Sequence, residues 1–547
     1  MTPRIREAGD SALLLEFDEI VDPQINARAI AVAFSVRSER LAGIRDVVPT
    51  YRSVAVYFDP LVASPEGVRA ALERGLGARL ELVEGATVEI PTVYGGESGP
   101  DLAEVAGWAG LSPEDVARLH ASTTYRVFMM GFLPGFAYMG SVDERIATPR
   151  RATPRARVRA GSVGIAGFQT GVYPRDSPGG WQIVGRSQLR VFDPSRVPAA
   201  LFAPGDTVRF VSVARDEATG ERVDQPAAHV RADAPSERAA RSVTVLRPGL
   251  FTTVQDEGRW GHQASGVPVS GSLDRVSHCI ANVAVGNPVD AATLEATIVG
   301  PELRIDQSAR LAVTGADLQA SLDGSPVRHG EETSCRAGSV LRFGERRSGA
   351  RTYVAFDGGV NVAGVLGSRA THVGAALGGW NGRALIAGDQ LPLGIPTSPG
   401  SRRRVGGPAL ETAGGARLRV LPGPQDDFFP ESALDLLERT RFVVTPRSDR
   451  MGYRLSGATL PRVERREMIS DATFAGSIQV PPSGEPILLM HDRQTTGGYP
   501  QIATVITADL PVAGQLAPGD WVEFERCSRA DALAALAAQE ALLRALG

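Results

Sequence analysis

The chain contains no lysine; all 58 of its basic residues other than histidine are arginine. That absence excludes every chemistry that requires a primary amine on a side chain. A P-loop ends in Gly-Lys-Ser/Thr and a protein-kinase core needs a strand lysine, so neither is encoded. Schiff-base catalysis needs an amine nucleophile and is excluded. A biotinylated carrier segment and the Ser–Ser–Lys machinery of amidase-signature enzymes fall with it. Any phosphate must be held by arginine forks, backbone N–H groups or a metal. Cysteine is scarce: Cys279, Cys335 and Cys527 lie far apart, with no CxxC pair. This signals neither a disulfide framework nor a zinc knuckle, and fits buried, reduced thiols. Charge of one sign is not in excess either, since 58 basic against 62 acidic residues leave a net charge of −4. Nucleic acid is therefore not an expected partner. No apolar run approaches the ~18 residues of a membrane span, and Met1 to Asp10 lacks the apolar core of a signal peptide. The expectation is a cytoplasmic protein with no membrane partner.

What is present is an ordinary globular mixture, 43% hydrophobic and 22% charged over 547 residues, enough for about three or four domains. We place a small N-terminal α/β domain at 1–86, a β domain at 87–211, a linker at 212–241 and a β-rich block at 242–547 with room for two subdomains. In the first domain Ser11 to Phe17 and Arg52 to Phe58 read as strands, and Pro23 to Arg40 has helical apolar spacing. Ser64-Pro65-Glu66 and Ser112-Pro113-Glu114 are N-cap signatures opening two further helices, the second ending near His120. There the helix dipole favours a cation, so His120 reads as a structural terminus. After Tyr125, turn signals recur about every 8–12 residues, as in barrels and sandwiches. The polar stretch from Ser212 to Arg241 has no apolar pattern and reads as a linker. Ala530 to Leu546 reads as a terminal amphipathic helix.

The two β blocks echo one another. Gly161-Ser162-Val163 matches Gly476-Ser477-Ile478, and Ala203-Pro204-Gly205-Asp206 matches Ala517-Pro518-Gly519-Asp520. Between them, Gln169-Thr170-Gly171-Val172-Tyr173-Pro174 resembles Gln494-Thr495-Thr496-Gly497-Gly498-Tyr499-Pro500. The shared order points to an ancient duplication.

The densest segment is Gly131-Phe132-Leu133-Pro134-Gly135-Phe136-Ala137-Tyr138-Met139-Gly140, where glycines flank aromatics as they do when backbone approaches a ligand closely. An arginine row kept extended by prolines follows from Thr148 to Arg159, then Gly164-Ile165-Ala166-Gly167 and Gln169 to Trp181. This string resembles the family known as allophanate hydrolase subunit 1, kinase A inhibitor or the B subunit of 5-oxoprolinase, as does Gly9-Asp10-Ser11-Ala12-Leu13. The second block resembles the partner family, allophanate hydrolase subunit 2 or the C subunit of 5-oxoprolinase. Its matching stretches are Pro248 to Asp256, Gly266 to Asp274, Leu421 to Asp426, Arg450-Met451-Gly452-Tyr453 and Gln494 to Pro500.

The resemblance implies a mainly β protein with α+β parts, carrying cyclophilin-like β-barrel modules in both halves. It implies ATP-dependent activation of 5-oxoproline, with ATP and Mg²⁺ as cofactors and a separate A subunit that opens the lactam to glutamate. The same modules resemble the carboxyltransferase part of urea carboxylase, whose partner is carboxybiotin, so transfer to a urea-like amide is the first alternative. A non-enzymatic regulator that binds a sensor kinase is the second. Whether the chain forms a homo-oligomer is left open. Three positions depart from the family pattern: Glu257 stands where an apolar residue is expected, His372 where an aspartate is, and His491 where a small residue is.

Phosphoryl transfer asks mainly for positioning and charge neutralisation. Arg150, Arg155, Arg157 and Arg175 are candidate phosphate or carboxylate clamps, against the alternative of a solvated strand face. Asp256 and Asp274 are candidates for Mg²⁺ and catalysis, against roles in capping turns. Glu295, in an apolar context, is a candidate buried base. Gln169, Thr170, Gln494 and Thr495 are candidate ligand contacts, against bonding to neighbouring backbone.

Overall fold

The computed structural model describes residues 3–77, 85–214, 241–396, 414–463 and 468–546. Most of the expected linker, residues 215–240, lies outside the described residues. The fold is mainly β and contains two closed seven-stranded barrels of the expected cyclophilin-like kind, one in each half.

The N-terminal domain is a four-stranded antiparallel sheet carrying helices Pro23–Ser38 and Pro65–Gly77. Asp22 caps the first helix by accepting from the Gln24 and Ile25 amides, with Pro23 in the first turn. All six residues of strand Ser53–Phe58 are buried, because both faces of the sheet are covered. Val54, Val56 and Phe58 face the helices. Ala55 and Tyr57 pack instead on Ala472 and Phe474 of the second half.

The first barrel opens with strand Thr87–Tyr94, which pairs in parallel with the last strand, Thr207–Ser212. The second opens with Gly415–Pro422, likewise parallel to its last strand, Trp521–Arg526. The remaining pairings follow the same order in both barrels. Two of the three sequence echoes fall at equivalent places. Gly161 (φ 78°) and Gly476 (φ 82°) precede the fourth barrel strand of their modules, and Gly205 (φ 101°) and Gly519 (φ 93°) precede the last. In each last turn an aspartate closes the loop: Asp206 accepts from the Ala203 amide and Asp520 from the Ala517 amide. The third echo is not equivalent. Gln169–Val172 is a barrel strand, whereas Gln494 to Pro500 runs between two barrel strands.

Between the barrels, residues 242–396 form sheets of six and five strands around one apolar core, with helix Arg275–Ala284 packed on the five-stranded sheet. The terminal helix Arg529–Leu546 inserts Leu543 beside that helix. Its Glu540 pairs with Arg275, which also bonds Glu257 at 2.8 Å. The charge at 257 thus serves a surface ion chain. Among the described residues no helix is long and apolar enough to cross a membrane.

The N-terminal domain is wedged against both halves. Asn26 donates to the Phe128 carbonyl of the first barrel at 2.9 Å. Asp10 accepts from the amide and hydroxyl of Thr507 in the second half at 2.9 and 2.6 Å, which accounts for the opening Gly9-Asp10-Ser11 motif.

Candidate functional site

The segment His491 to Pro500 lies where all of these units meet. On one side of it is a buried ionic network. Arg450 grips Asp492 bidentately at 3.0 and 3.1 Å, pairs with Glu295 and donates to the Gly271 carbonyl at 2.6 Å. Glu295 also accepts from the Tyr353 hydroxyl at 2.7 Å and the Leu273 amide at 3.0 Å. Burial pushes the Glu295 carboxyl up, but Arg450 and Arg351 outweigh it and hold the pKa below the ordinary value. Asp492 is held down in the same way by Arg450 and His372 against its burial. Glu295 is therefore buried as expected, but as a fixed anion clasped by arginine rather than a base poised to take a proton. The two histidines that depart from the family pattern border this network. Burial lowers the pKa of His372, whose Nδ1 accepts from the Ala375 amide. Burial together with Arg450 and Arg493 lowers His491 to about 4.

The two aspartates proposed for Mg²⁺ have other work. Asp274 caps helix Arg275–Ala284: Oδ1 accepts from the Ser277 amide, and Oδ2 from the Ser277 hydroxyl and the Gln515 amide group at 2.6 Å each. Asp256 accepts from the Gly258 amide, the Ser368 hydroxyl and the Arg369 amide at 2.8, 2.7 and 2.5 Å. Among the described residues no group of three His, Cys, Asp or Glu side chains is placed to hold a metal ion. Asp256 and Asp274 do not fit a protein-bound Mg²⁺ site, because their oxygens are already committed to donors.

On its other side the segment meets the first barrel. Gly131 approaches Thr496 so closely that a Cβ on the glycine would stand 1.9 Å from the threonine Oγ1. Beyond this contact lies a cluster of tilted and edge-to-face aromatics. Tyr51 of the N-terminal domain packs on Phe128, and Tyr138 on Phe136 and Trp181, with ring centroids 5.0–6.1 Å apart. Gln169 donates from Nε2 to the Tyr51 hydroxyl at 2.7 Å. Thr170 is instead structural: its hydroxyl pairs with His120 Nε2 at 2.8 Å and donates to the Gly164 carbonyl. His120 also corrects the sequence reading. Its ring is fully buried, bonded through Nδ1 to the Tyr94 hydroxyl, and desolvation lowers its pKa to about 3. It is a neutral core histidine and not a cation at a helix end.

The four candidate arginines separate clearly. Arg155 pairs with buried Asp101 at 2.5 Å. Arg157 is exposed and pairs with Asp176. Arg150 is exposed and makes no ion pair with any described residue, and its charge bears on the hydroxyls of Tyr51, Tyr138 and Tyr173. Arg175 is half-buried, with Nε and Nη1 lacking partners, and burial lowers its pKa. Gln494 is half-buried, and its carbonyl accepts from the Thr473 hydroxyl. Thr495 is buried with an unpartnered hydroxyl, and the buried Thr496 hydroxyl lies against that of Tyr138. The sequence reading passed over Tyr51, Tyr138, Thr496, Arg450 and Asp492. Tyr138, Thr496 and Arg450 sit inside stretches already singled out and Asp492 follows His491 directly, so the signal lay in or beside the motifs without marking which member mattered.

Comparison with known proteins agrees with this architecture. The model for the carboxyltransferase domain, subdomain C and D, matches residues 3–202, and that for subdomain A and B matches 265–526. The B subunit of Bacillus subtilis 5-oxoprolinase is 40% identical over 226 residues, 39% of this chain and 94% of that protein. The C subunit of Escherichia coli 5-oxoprolinase is 39% identical over 297 residues, 53% of this chain and 93% of that protein. The crystal structure of TTHA0988 superimposes with a TM-score of 0.83 at 36% identity, covering 95% of this chain and 100% of that one. The Kluyveromyces lactis urea carboxylase structure gives a TM-score of 0.54 at 28% identity, covering 57% of this chain and 30% of that one. The chain belongs to the carboxyltransferase-domain family, with a half similar to the 5-oxoprolinase B subunit followed by a half similar to the C subunit.

Proposed function

We propose that this chain is the fused B/C component of a 5-oxoprolinase, acting on 5-oxoproline with ATP. The γ-phosphoryl group passes to the lactam carbonyl oxygen as the β–γ bridge breaks and ADP leaves. A separate A subunit then adds one water to the activated carbon to break its C–N bond, and a second water cleaves the acyl phosphate, releasing glutamate and phosphate. Magnesium enters this reading only as the counter-ion of the nucleotide phosphates. The observation that carries the reading is the joining of both halves into one surface at Gly131 and Thr496, next to tyrosines whose hydroxyls feel the charge of an exposed arginine with no carboxylate partner among the described residues. A substrate carrying a carboxylate and a nucleotide carrying phosphates both call for such a cation. The relatives similar to each half support it, since both are 5-oxoprolinase subunits and both are matched over nearly their full length.

The test is ADP release by the purified protein, with and without 5-oxoproline and with and without a lactam-opening A subunit. Turnover that requires 5-oxoproline, with glutamate appearing only when the A subunit is present, is expected. Silence in all four conditions with a competent A subunit would overturn the reading. Carboxyl transfer to a urea-like amide, favoured by the likeness to urea carboxylase, would then lead. With no lysine in the chain, its carboxybiotin would have to come from another polypeptide.

A further inference from the structure

Building on that function, we propose that the nook where Tyr51, Tyr138, Arg150 and Thr496 meet is an oxyanion-recognition site, taking either the carboxylate of the lactam substrate or a phosphate of the nucleotide. Arg150, Tyr51 and the Tyr138–Thr496 hydroxyl pair each keep a donor that no described protein acceptor takes up. The Arg150 guanidinium is exposed and unpaired among the described residues. Tyr51 is 1% exposed, and its hydroxyl oxygen already accepts from Gln169, which leaves its own proton to donate elsewhere. The Tyr138 ring lies 6.4 Å from that of Tyr51, and the residue keeps part of its surface in solvent. Thr496 is 2% exposed and its hydroxyl lies against that of Tyr138, so the two share one hydrogen bond and keep one proton between them. A buried hydroxyl pair with a proton left over carries a desolvation cost that a bound acceptor would relieve.

Electrostatics point the same way. Burial drives the Tyr138 phenol up to about 12 and Tyr51 well above its ordinary value, so both stay protonated and able to donate. Arg150 is the charge that bears on both, and no carboxylate does. An anion entering the nook meets one cation and up to two hydroxyl donors, one from Tyr51 and one from the Tyr138–Thr496 pair, with no carboxylate among the charges that bear on these phenols. The ordinary alternative, a solvated surface arginine, is what Arg157 illustrates with its exposed carboxylate partner. The site also takes Tyr51 from the N-terminal domain, Tyr138 and Arg150 from the first barrel and Thr496 from the second half. Neither half builds it alone, which gives the joining of the two a chemical reason.

The experiment is calorimetric titration of the full-length chain with 5-oxoproline, with 2-pyrrolidinone, which lacks the carboxylate, and with ATP. The wild type is compared with Arg150→Gln, Tyr51→Phe, Tyr138→Phe and the control Arg157→Gln. Arg150→Gln is expected to weaken one anion about tenfold or more, and each Tyr→Phe change about threefold or more, with the control unchanged. Loss confined to 5-oxoproline, with the weak binding of 2-pyrrolidinone unaltered, assigns the carboxylate; loss confined to ATP assigns a phosphate. Wild-type affinity for both anions in Arg150→Gln and Tyr138→Phe overturns the site, even if Tyr51→Phe fails to fold. That failure is distinct from failure of the proposed function, because 5-oxoproline-dependent ADP release would then persist with unchanged KM. A wild type that binds neither anion overturns both.

Discussion

Gly131 of the first barrel and Thr496 of the second half are in such close contact that no side chain fits between them: a Cβ on the glycine would lie 1.9 Å from Oγ1 and 3.0 Å from Cβ of the threonine. The glycine-flanked aromatic segment therefore acts as an interface as well as a turn. Close by, the Gly135 amide donates to the Ser265 carbonyl at 2.9 Å. The two halves are locked backbone to backbone.

Replacing Gly131 with alanine should force them apart. We expect Gly131→Ala to destabilise the chain by about 1–3 kcal/mol in urea denaturation, as overpacking does. The double variant with Thr496→Ala should recover part of that loss, since the 1.9 Å contact is to the hydroxyl.

The Arg450 network should behave as a buried ion cluster. Arg450→Met strands Glu295 and Asp492 without their cation, and about 3–5 kcal/mol of stability should be lost. Both carboxylates have lowered pKa values in the folded state, so their contribution is present above the unfolded carboxylate range, near pH ~4. It is lost as pH falls through the folded values. Stability measured against pH should show this acid limb in the wild type and lose much of it in Arg450→Met.

His120 gives a second, separate acid limb. The folded ring titrates at about 3 against an ordinary 6.5. Between those values the unfolded chain holds a proton that the native state refuses, so stability falls as pH drops from 6.5 towards 3. Nuclear magnetic resonance of the ring should show neutral imidazole at pH ~5, where an exposed histidine is charged. A His120 signal titrating near 6.5 would contradict the buried placement.

Asp274 offers a direct check on metal binding. Asp274→Asn would set an amide N–H₂ against the donors now satisfied by its carboxylate. Its Oδ1 still caps the helix, but the buried clash of its N–H₂ with the Gln515 amide group should cost about 1–3 kcal/mol of stability and leave the magnesium dependence of ADP release unchanged. A large rise in the magnesium concentration required would make Asp274 a ligand.

The parts legible in the sequence are those that adjacent residues settle among themselves. Ser112 before Pro113 is a cap, and its hydroxyl does accept from the Asp115 amide. The repeated Pro-Gly-Asp turns mark equivalent strands because an aspartate three residues on closes its own loop. Two matched turns in matched order were enough to suggest a duplicated module, and the shared strand order bears that out. The third echo misled because Gln-Thr-Gly strings suit a strand and a connecting loop equally well.

Amino-acid content alone excluded lysine chemistry, since no fold can supply a side chain the sequence does not contain. Local pattern determined the β character, the capped helices and the family resemblance, for these depend on neighbours within a few residues. Only the tertiary structure decided which charged groups are free. Arg150 and Arg155 look alike in the chain, yet Asp101 neutralises one and leaves the other in solvent. Asp256 and Asp274 have the chemistry of metal ligands, but donors from Ser368 and Gln515, distant in sequence, occupy their oxygens. A charge is available for function only after its long-range partners are counted, and those partners exist only once the chain has folded.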